Sequence, residues 1–197
     1  MDEIRDLVIG EHRLIGDIIG DSFADDPVNK WVFWSRESMT HYYTLVAKKL
    51  YLQKGFGHVL DSANAGTLWL PPGIKKDIPV YRSLDIAASM VYFGSFRSVF
   101  RGMAVEAGLV AKKPKEPHFF LFAIGTRPSE QGKGLGSQVM AEGLKIVDQA
   151  NMPAYLESSK EQNIPFYKRF GFEIVEKTTP AKDGPPLWLM WRESRSS

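Results

Sequence analysis

Apolar residues recur at helical spacing in two stretches near the start of the chain. Between Glu11 and Ala24 they lie three and four positions apart, which is the spacing of one helix face: Leu14, Ile15, Ile18, Ile19 and Phe23. We predict that this helix ends before Pro27, because the residue ahead of a proline is disfavoured in helical geometry. A second amphipathic helix is predicted from about Glu37 to Lys54.

The middle of the chain contains two different patterns of apolar residues, one typical of strands and one typical of helices. The segments GHVL and TLWLP, joined by the small polar turn DSANAG, predict two strands in a hairpin. From about residue 80 to 113 the apolar residues follow no strict alternation, and we predict helices that are interrupted near Gly94 and Gly102. This stretch has the character of a helical insertion.

The C-terminal half has a clear order of elements. HFFLFAIGT is almost wholly apolar, as a central strand covered on both faces is. A glycine-rich turn and an amphipathic helix from Leu135 to Ala150 follow, and then the strand PAYLES, the short helix QNIPFYKRF and two strands, GFEIVE and LWLMWR. Strand, helix and strand in this order imply a parallel, right-handed crossover.

Composition narrows the functional classes. The 197 residues are 44% hydrophobic and 24% charged, which is typical of a globular protein that buries a core. The net charge of +2 gives no overall attraction to nucleic acid or membrane, so an anion site must be local. With no cysteine there is no disulfide, cysteine-ligated zinc or thiol catalysis. Without a signal peptide pattern or a long apolar run, we expect a cytoplasmic protein.

The turn RPSEQGKGLG, residues 127–136, is the strongest chemical signal. Glycines at 132, 134 and 136 remove the Cβ atoms that keep a phosphate away from the free amides at a helix N-terminus. Lys133 adds a cation and Gln131 a neutral donor. The spacing departs from a dinucleotide fingerprint and lacks the Ser or Thr of a nucleotide-triphosphate loop. A glycine-rich helix start that binds nothing is the other interpretation.

The motifs around this turn resemble one superfamily. Gln-x-x-Gly-x-Gly after an apolar strand, followed by YLESS and NIPFYKRFGFE, is similar to the GCN5-related N-acetyltransferases (GNAT), and among them to the puromycin N-acetyltransferase type. SFADDPVNKWVF and LWLPPG are similar too. The resemblance implies one α/β domain over residues 1–197 with an insertion at about 80–113. Its mixed sheet of six to seven strands would be flanked by helices and carry a splayed parallel pair at the cofactor site.

The resemblance also implies a cofactor, acetyl-coenzyme A, and residues that hold it. The glycine turn would bind the pyrophosphate, the strand before it would bond the pantetheine arm through its backbone, and the amide near Ile124 would hold the thioester carbonyl. The predicted cofactor-binding residues are Ile124, Gly125, Thr126, Gln131, Gly132, Lys133, Gly134, Leu135, Gly136, Ser137 and Asn163.

Two residues are the catalytic candidates. Tyr167 matches the family position of a general acid that protonates the departing thiolate. Glu157 is the candidate base that takes a proton from the attacking amine. Asp25 and Asp26, with aromatic residues that include Trp31, would bind an apolar, cationic substrate. Ordinary packing or solvation of these side chains is the alternative in each case.

The resulting hypothesis is transfer of an acetyl group to a primary amine of a small molecule, such as an antibiotic or other xenobiotic, by direct attack in a ternary complex. A coenzyme A-binding sensor without turnover and a peptide acetyltransferase are the alternatives.

GDSF, with Ser22, resembles the start motif of a serine esterase family, but no histidine follows His118. The four histidines lack metal-ligand spacing, and we expect no metal. The chain would be a monomer, or a homodimer paired through LWLMWR if that strand were an exposed edge.

Overall fold

A seven-stranded mixed sheet forms the centre of the molecule in a computed structural model that describes residues 2–76 and 80–195. The strand order is β1-β2-β3-β4-β5-β7-β6. Its strands are β1 (Ile4–Asp6), β2 (His58–Leu60), β3 (Ala65–Leu70), β4 (Phe119–Thr126), β5 (Ala154–Ser158), β6 (Glu173–Thr178) and β7 (Leu187–Arg192). All neighbouring strands are antiparallel except β4 and β5, which are parallel. The predicted α/β class, the parallel pair and the strand number are confirmed.

Helices cover both faces of this sheet. They are α1 (His12–Ser22), α2 (Pro27–Val32), α3 (Arg36–Val46), α4 (Leu52–Lys54), α5 (Val80–Tyr92), α6 (Phe96–Val110), α7 (Leu135–Gln149) and α8 (Ile164–Arg169). A π-helical segment, Ala47–Tyr51, joins α3 to α4, so the helix predicted over 37–54 is continuous but irregular. Short 3-10 turns precede α1, follow β4 and precede α8.

The core divides into two large apolar clusters on opposite faces of the sheet. One contains side chains of α1, α3, α5 and α6 together with Phe120 and Tyr155. The other contains side chains of α7 and α8 together with Leu121 and Leu156. Successive residues of a strand point to opposite faces, so both faces of β4 and β5 are buried, which accounts for their nearly continuous apolar sequences.

The two parallel strands separate after a short paired stretch. β4 and β5 pair at Phe119 with Ala154, Phe120 with Tyr155, and Leu121 with Leu156, and the ladder stops there although β4 continues to Thr126. On its other side β4 stays paired with β3, but the register shifts so that Phe122 is an extra residue between the pairs Leu121–Trp69 and Ala123–Leu68. Such a bulge bends the strand away from a regular ladder. A gap therefore opens in the sheet between the ends of β4 and β5.

Several element predictions were wrong or incomplete. Gly102 lies within α6 and does not interrupt it, since a single glycine costs a helix only about 1 kcal/mol and α6 packs against the protein on both sides of it through Ser98 and Leu109. The break near Gly94 is confirmed, between α5 and α6. β1 and α2 were missed. LWLMWR is not an edge strand, since β7 lies between β5 and β6.

Candidate active site

The glycine turn forms an open loop at the N-terminus of α7. Gly132 and Gly134 adopt φ angles of 79° and 83°, a left-handed conformation that side chains disfavour, and nothing lies within 4 Å of where their Cβ atoms would be. Gly136 lies against β4, and a Cβ there would be 3.1 Å from Thr126 Oγ1. The first amide groups of α7 have no partner within the helix, so the turn presents backbone donors to an open space.

That open space is a cavity of about 360 Å³, which we call the glycine-turn cavity. Its walls come from the end of α1, the splayed end of β4, the glycine turn and α8. Of the predicted cofactor-binding residues it is lined by Ile124, Gly125, Thr126, Gln131, Gly132, Gly134, Leu135, Gly136, Ser137 and Asn163. The structure thus brings together residues that span 40 positions of the sequence.

Lys133 is the predicted cofactor-binding residue that the structure does not place in this wall. Its side chain is 59% exposed, and its Nζ lies 3.0 Å from both carboxylate oxygens of Glu130. The Gln131 side chain is also occupied, since its Nε2 donates to the Thr126 carbonyl at 3.1 Å. The backbone of the turn, and not these side chains, faces the cavity as a set of free donors.

Two basic residues that sequence reasoning missed line the same cavity. Lys160 and Arg169 contribute to its wall, and Arg169 lies over the Phe166 ring with 5.6 Å from Cζ to the centroid. Lys160 also forms an ion pair with Asp25. Phe166 and Arg169 are three positions apart on a helix, so their side chains lie on the same face. That spacing is the signal by which the sequence could have indicated Arg169.

A second cavity of about 620 Å³, which we call the helical cavity, opens on the other side of the splayed strands. More than half of its lining residues belong to α2, α3, α5 and α6, and most of these are apolar, so the predicted insertion builds much of this wall. Both cavities share Phe23, Ile124, Asn163 and Tyr167. The two cavities therefore adjoin, and Tyr167 lies in the wall that they have in common.

Tyr167 is buried, with 8% of its surface exposed. Burial raises the pKa of its hydroxyl well above the usual tyrosine range, and the nearby Asp26 carboxylate raises it further. The hydroxyl therefore keeps its proton at neutral pH. At the junction of two cavities it is a proton donor, which is the property that the predicted role requires.

Asp26 and Asp25, predicted together as substrate contacts, lie in different surroundings. Asp26 is 1% exposed and caps α2: its Oδ1 accepts from the Asn29 backbone and side-chain amides, both at 2.8 Å, and its Oδ2 accepts from Ser159. It lines the glycine-turn cavity. The Asp25 side chain is 78% exposed, is held by Lys160, which lowers its pKa, and lines neither cavity.

Trp31 does not line either cavity in the part of the chain that the structure describes. Its ring lies under the Arg101 guanidinium, 4.6 Å from Cζ to the centroid, and its carbonyl accepts from Arg101 Nη1 at 2.7 Å. Trp31 therefore fastens α2 to α6. Its predicted contact with substrate stays a prediction, since Trp31 lines neither cavity. The sequence pattern did not distinguish aromatic residues that pack between helices from those that line a cavity.

Glu157 lines the helical cavity within a partly buried charge cluster that the sequence did not reveal. Its Oε2 lies 3.4 Å from Lys76 Nζ, and its Oε1 lies 3.4 Å from the Tyr155 hydroxyl. Lys76 also reaches Glu106 at 2.9 Å. Burial alone would lower the pKa of Lys76, but the two carboxylates outweigh it and raise that pKa. Glu157 is accordingly a carboxylate with a cationic neighbour.

Ser22, of the esterase-like GDSF motif, has no catalytic surroundings. It is buried at the end of α1, where its hydroxyl donates to the Ile19 carbonyl at 3.1 Å. It lines the glycine-turn cavity, but no histidine is among the residues lining that cavity. The arrangement lacks the base that a serine nucleophile needs.

Comparison with known proteins agrees with this geometry. Residues 86–172 match the model of the Acetyltransferase (GNAT) family. An uncharacterized N-acetyltransferase of Schizosaccharomyces pombe is 28% identical over 193 residues, which cover 88% of this chain and 76% of that protein.

Solved structures share the fold. A histone acetyltransferase HPA2-related acetyltransferase of Corynebacterium glutamicum superposes with a TM-score of 0.73 at 21% identity, covering 100% of this chain and 99% of that one. The PaiA N-acetyltransferase of Thermoplasma acidophilum, solved in complex with coenzyme A, gives a TM-score of 0.57 at 14% identity over 98% and 99% of the two chains. These likenesses show that the chain has an acetyltransferase type of fold. Residues 86–172 therefore match the GNAT family, and the whole chain shares the fold of the acetyltransferases above. The likeness to the puromycin type stays a prediction.

Two negative findings concern the described residues only. Across residues 2–76 and 80–195, no helix combines the length and apolar character needed to cross a bilayer. Within the same ranges, no group of three or more histidine, aspartate or glutamate side chains is placed to bind a metal ion.

Proposed function

We propose that the protein is an acetyl-CoA-dependent N-acetyltransferase that acts on a primary amine of a small molecule, by direct attack in a ternary complex. The observation that carries the proposal is the meeting of the glycine-turn cavity and the helical cavity at Tyr167. One cavity offers backbone donors to an anion, the other offers apolar walls to a second molecule, and a neutral hydroxyl stands between them.

The glycine-turn cavity fits the diphosphate of coenzyme A. The two left-handed glycines leave space where side chains would block a phosphate, and the first amides of α7 point into that space with the helix dipole behind them. Lys160 and Arg169 add positive charge to the wall. We assign the phosphate groups to these donors and the acyl arm to the backbone of Ile124, Gly125 and Thr126.

The splayed end of β4 suits an extended ligand. Past Leu121 this strand has no partner on the β5 side, so its backbone groups can pair with a linear chain that carries amide groups. Asn163, at the start of α8, lines both cavities beside that strand. Acetyl-CoA supplies the acetyl group as an activated thioester.

The chain supplies the proton transfers. Tyr167 holds a proton at Oη because burial and Asp26 disfavour the phenolate, and it can give that proton to a leaving group. We propose Glu157 as the group that accepts a proton from the amine, directly or through water. Its Oε2 lies 3.4 Å from the Lys76 ammonium, which holds the carboxylate in place at the wall of the helical cavity.

The helical cavity determines the proposed substrate class. Its wall is largely apolar, with Val28, Phe33 and Met90 among its residues, and Glu106 and Glu157 add carboxylates. A primary amine with an apolar body fits this combination, and an antibiotic or other xenobiotic amine is one such molecule. A cytoplasmic location stays a prediction.

Thiol release tests the proposal. The purified protein should release free coenzyme A from acetyl-CoA when apolar primary amines are added, and release should be slower with matched alcohols. Stabilisation by acetyl-CoA without thiol release from any amine would identify a binding module without turnover. Preference for a peptide N-terminus over every small amine would make the protein a peptide acetyltransferase, and an absence of acetyl-CoA binding would refute the proposal.

A further inference from the structure

The outward face of α6 is apolar where a surface helix is normally polar. Its exposed residues include only one charged side chain, that of Arg97. They are Phe96, Arg97, Phe100, Met103, Ala104, Ala107 and Val110. Phe96, Phe100, Met103 and Val110 are 64–72% exposed. They lie at i, i+4, i+7 and i+14, so they form one stripe along the helix. The opposite face of α6 contacts the protein through Ser98 and Leu109, which are buried.

The helix before it extends the apolar face. Leu84 and Tyr92 of α5 are 64% and 83% exposed, and the exposed Ala88 lies between them at helical spacing. Leu84 and Met103 border the same cavity, which places the two helices side by side at its mouth. We call the surface formed by Leu84, Tyr92, Phe96, Phe100, Met103 and Val110 the hairpin face.

The hairpin face is large enough for a stable interface. With about 150–250 Å² for each aromatic side chain, Tyr92, Phe96 and Phe100 alone leave roughly 450 Å² uncovered. Leu84, Met103 and Val110 enlarge this surface toward the ~800 Å² that each partner contributes to a standard interface. Isolated patches on monomers are commonly about 300–600 Å². Among the residues that the structure describes, none covers these side chains.

The order of large and small residues on α6 is self-complementary. If two copies of α6 cross antiparallel about a two-fold axis between Met103 and Ala104, Met103 meets Ala104 of the second copy and Phe100 meets Ala107. Phe96 meets Ala111, which is also exposed. Phe96, Phe100 and Met103 thus each face an alanine, the alternation by which helices interdigitate, and Val110 at the end of the contact meets Arg97.

We propose that the hairpin face is the interface of a two-fold symmetric homodimer, in which the α6 helices of the two copies pack antiparallel. A lipid surface fits the same face less well, because helices that lie on membranes carry a strongly basic polar side, whereas the side of α6 opposite the stripe is packed into the protein. In the dimer, Leu84 and Met103 bring the mouths of the two helical cavities together.

Sedimentation velocity over a range of protein concentrations tests the interface. The chain should dimerise at micromolar concentration, and Phe100→Glu should raise the dissociation constant about tenfold or more, because it buries a charge at the centre of the contact. Val175→Glu is the matched control: Val175 is 59% exposed but lies on β6, so the dimer should persist. Circular dichroism and melting curves establish that both variants fold.

A size exchange tests the register. Phe100→Ala and Ala107→Phe should each weaken the dimer, and the double variant should restore it, because large and small partners change places. In the cysteine-free chain, Ala104→Cys should cross-link two copies through a short bis-maleimide, whereas Ile9→Cys should not. The proposal would be overturned if the protein stayed monomeric up to about 100 μM, whether or not it bound lipid vesicles. A dimer that persists in the Phe100→Glu variant would also overturn it.

Discussion

Tyr167 combines three properties that a proton donor needs. It is buried, it lies where the two cavities join, and its surroundings disfavour its phenolate form. None of these properties requires a special backbone conformation. They follow from α8, which begins after Asn163 and ends at Arg169 next to the splayed strands.

Removing the hydroxyl should separate chemistry from binding. Tyr167→Phe keeps the ring and its packing, so we expect kcat to fall by about 10²–10⁴-fold while acetyl-CoA affinity changes little. Steady-state kinetics and calorimetry measure the two effects. Because the pKa of Tyr167 is raised, the wild-type rate should not decline through loss of this proton below pH 10. An unchanged kcat in the variant would remove Tyr167 from the reaction.

Glu157 should control the acidic side of the pH–rate profile. We expect Glu157→Gln to lower kcat/KM by at least about tenfold, since its amide cannot take a proton, and to remove the acidic limb. Asp26→Asn is the comparison, because Asp26 is the other buried carboxylate beside the site. A profile that keeps its acidic limb in Glu157→Gln but loses it in Asp26→Asn would transfer the role of base to Asp26.

The sequence predicted some of the residues that line the two cavities and gave no sign of others. The glycines of the turn and Tyr167 belong to local motifs, and local motifs can be recognised in a linear chain. Lys76 and Glu106 are 30 positions apart and come together through the packing of α6, so no local pattern indicated them. Trp31 and Asp25 line neither cavity for a related reason, because residue type alone does not show which way a side chain points; their role as substrate contacts stays a prediction.

At the scale of elements, the glycine turn and α7 act as one unit. We expect Gly134→Ala to weaken acetyl-CoA binding, because a side chain at φ 83° costs about 1 kcal/mol and adds a Cβ to the anion site. Calorimetric titration of acetyl-CoA measures the affinity.

Gly73→Ala is the matched control for this change. Gly73 has a φ of 80° with nothing within 4 Å of its Cβ position, but it does not line the glycine-turn cavity. Its substitution should carry a similar backbone cost without a change in affinity. Equal losses of binding in both variants would show that backbone strain, and not the anion site, explains the effect of Gly134→Ala.

Element prediction succeeded where the hydrophobic period was long. α1 and α7 each have enough residues to establish a helical period, β4 is one long apolar run, and all three were predicted within about two residues of their bounds. β1 has three residues and exists because it pairs with β2, which is a tertiary cause. The start of α2 was recognisable, since Asp26 and Pro27 are a helix cap and a favoured first residue, but Pro27 was interpreted as an end only.

At the scale of the molecule, ligand binding should stabilise the fold. A ligand at 100 times its dissociation constant adds about 2.7 kcal/mol, which corresponds to a rise in melting temperature of about 5–10 °C for a chain of this size. We expect acetyl-CoA to produce this shift and acetate to produce none. Differential scanning fluorimetry measures it, and an unchanged melting temperature at saturating acetyl-CoA would contradict the assignment of the cavity.

The three residue pairs that join β4 to β5 divide the sheet into a four-stranded and a three-stranded half. Some amides of residues 122–126 lack a strand partner, so they should exchange with deuterium faster than those of Phe119–Leu121. A ligand that lies along β4 would protect them selectively. Mass spectrometry of exchange with and without acetyl-CoA should therefore trace the path of the acyl arm, one amide after another, without a crystal of the complex.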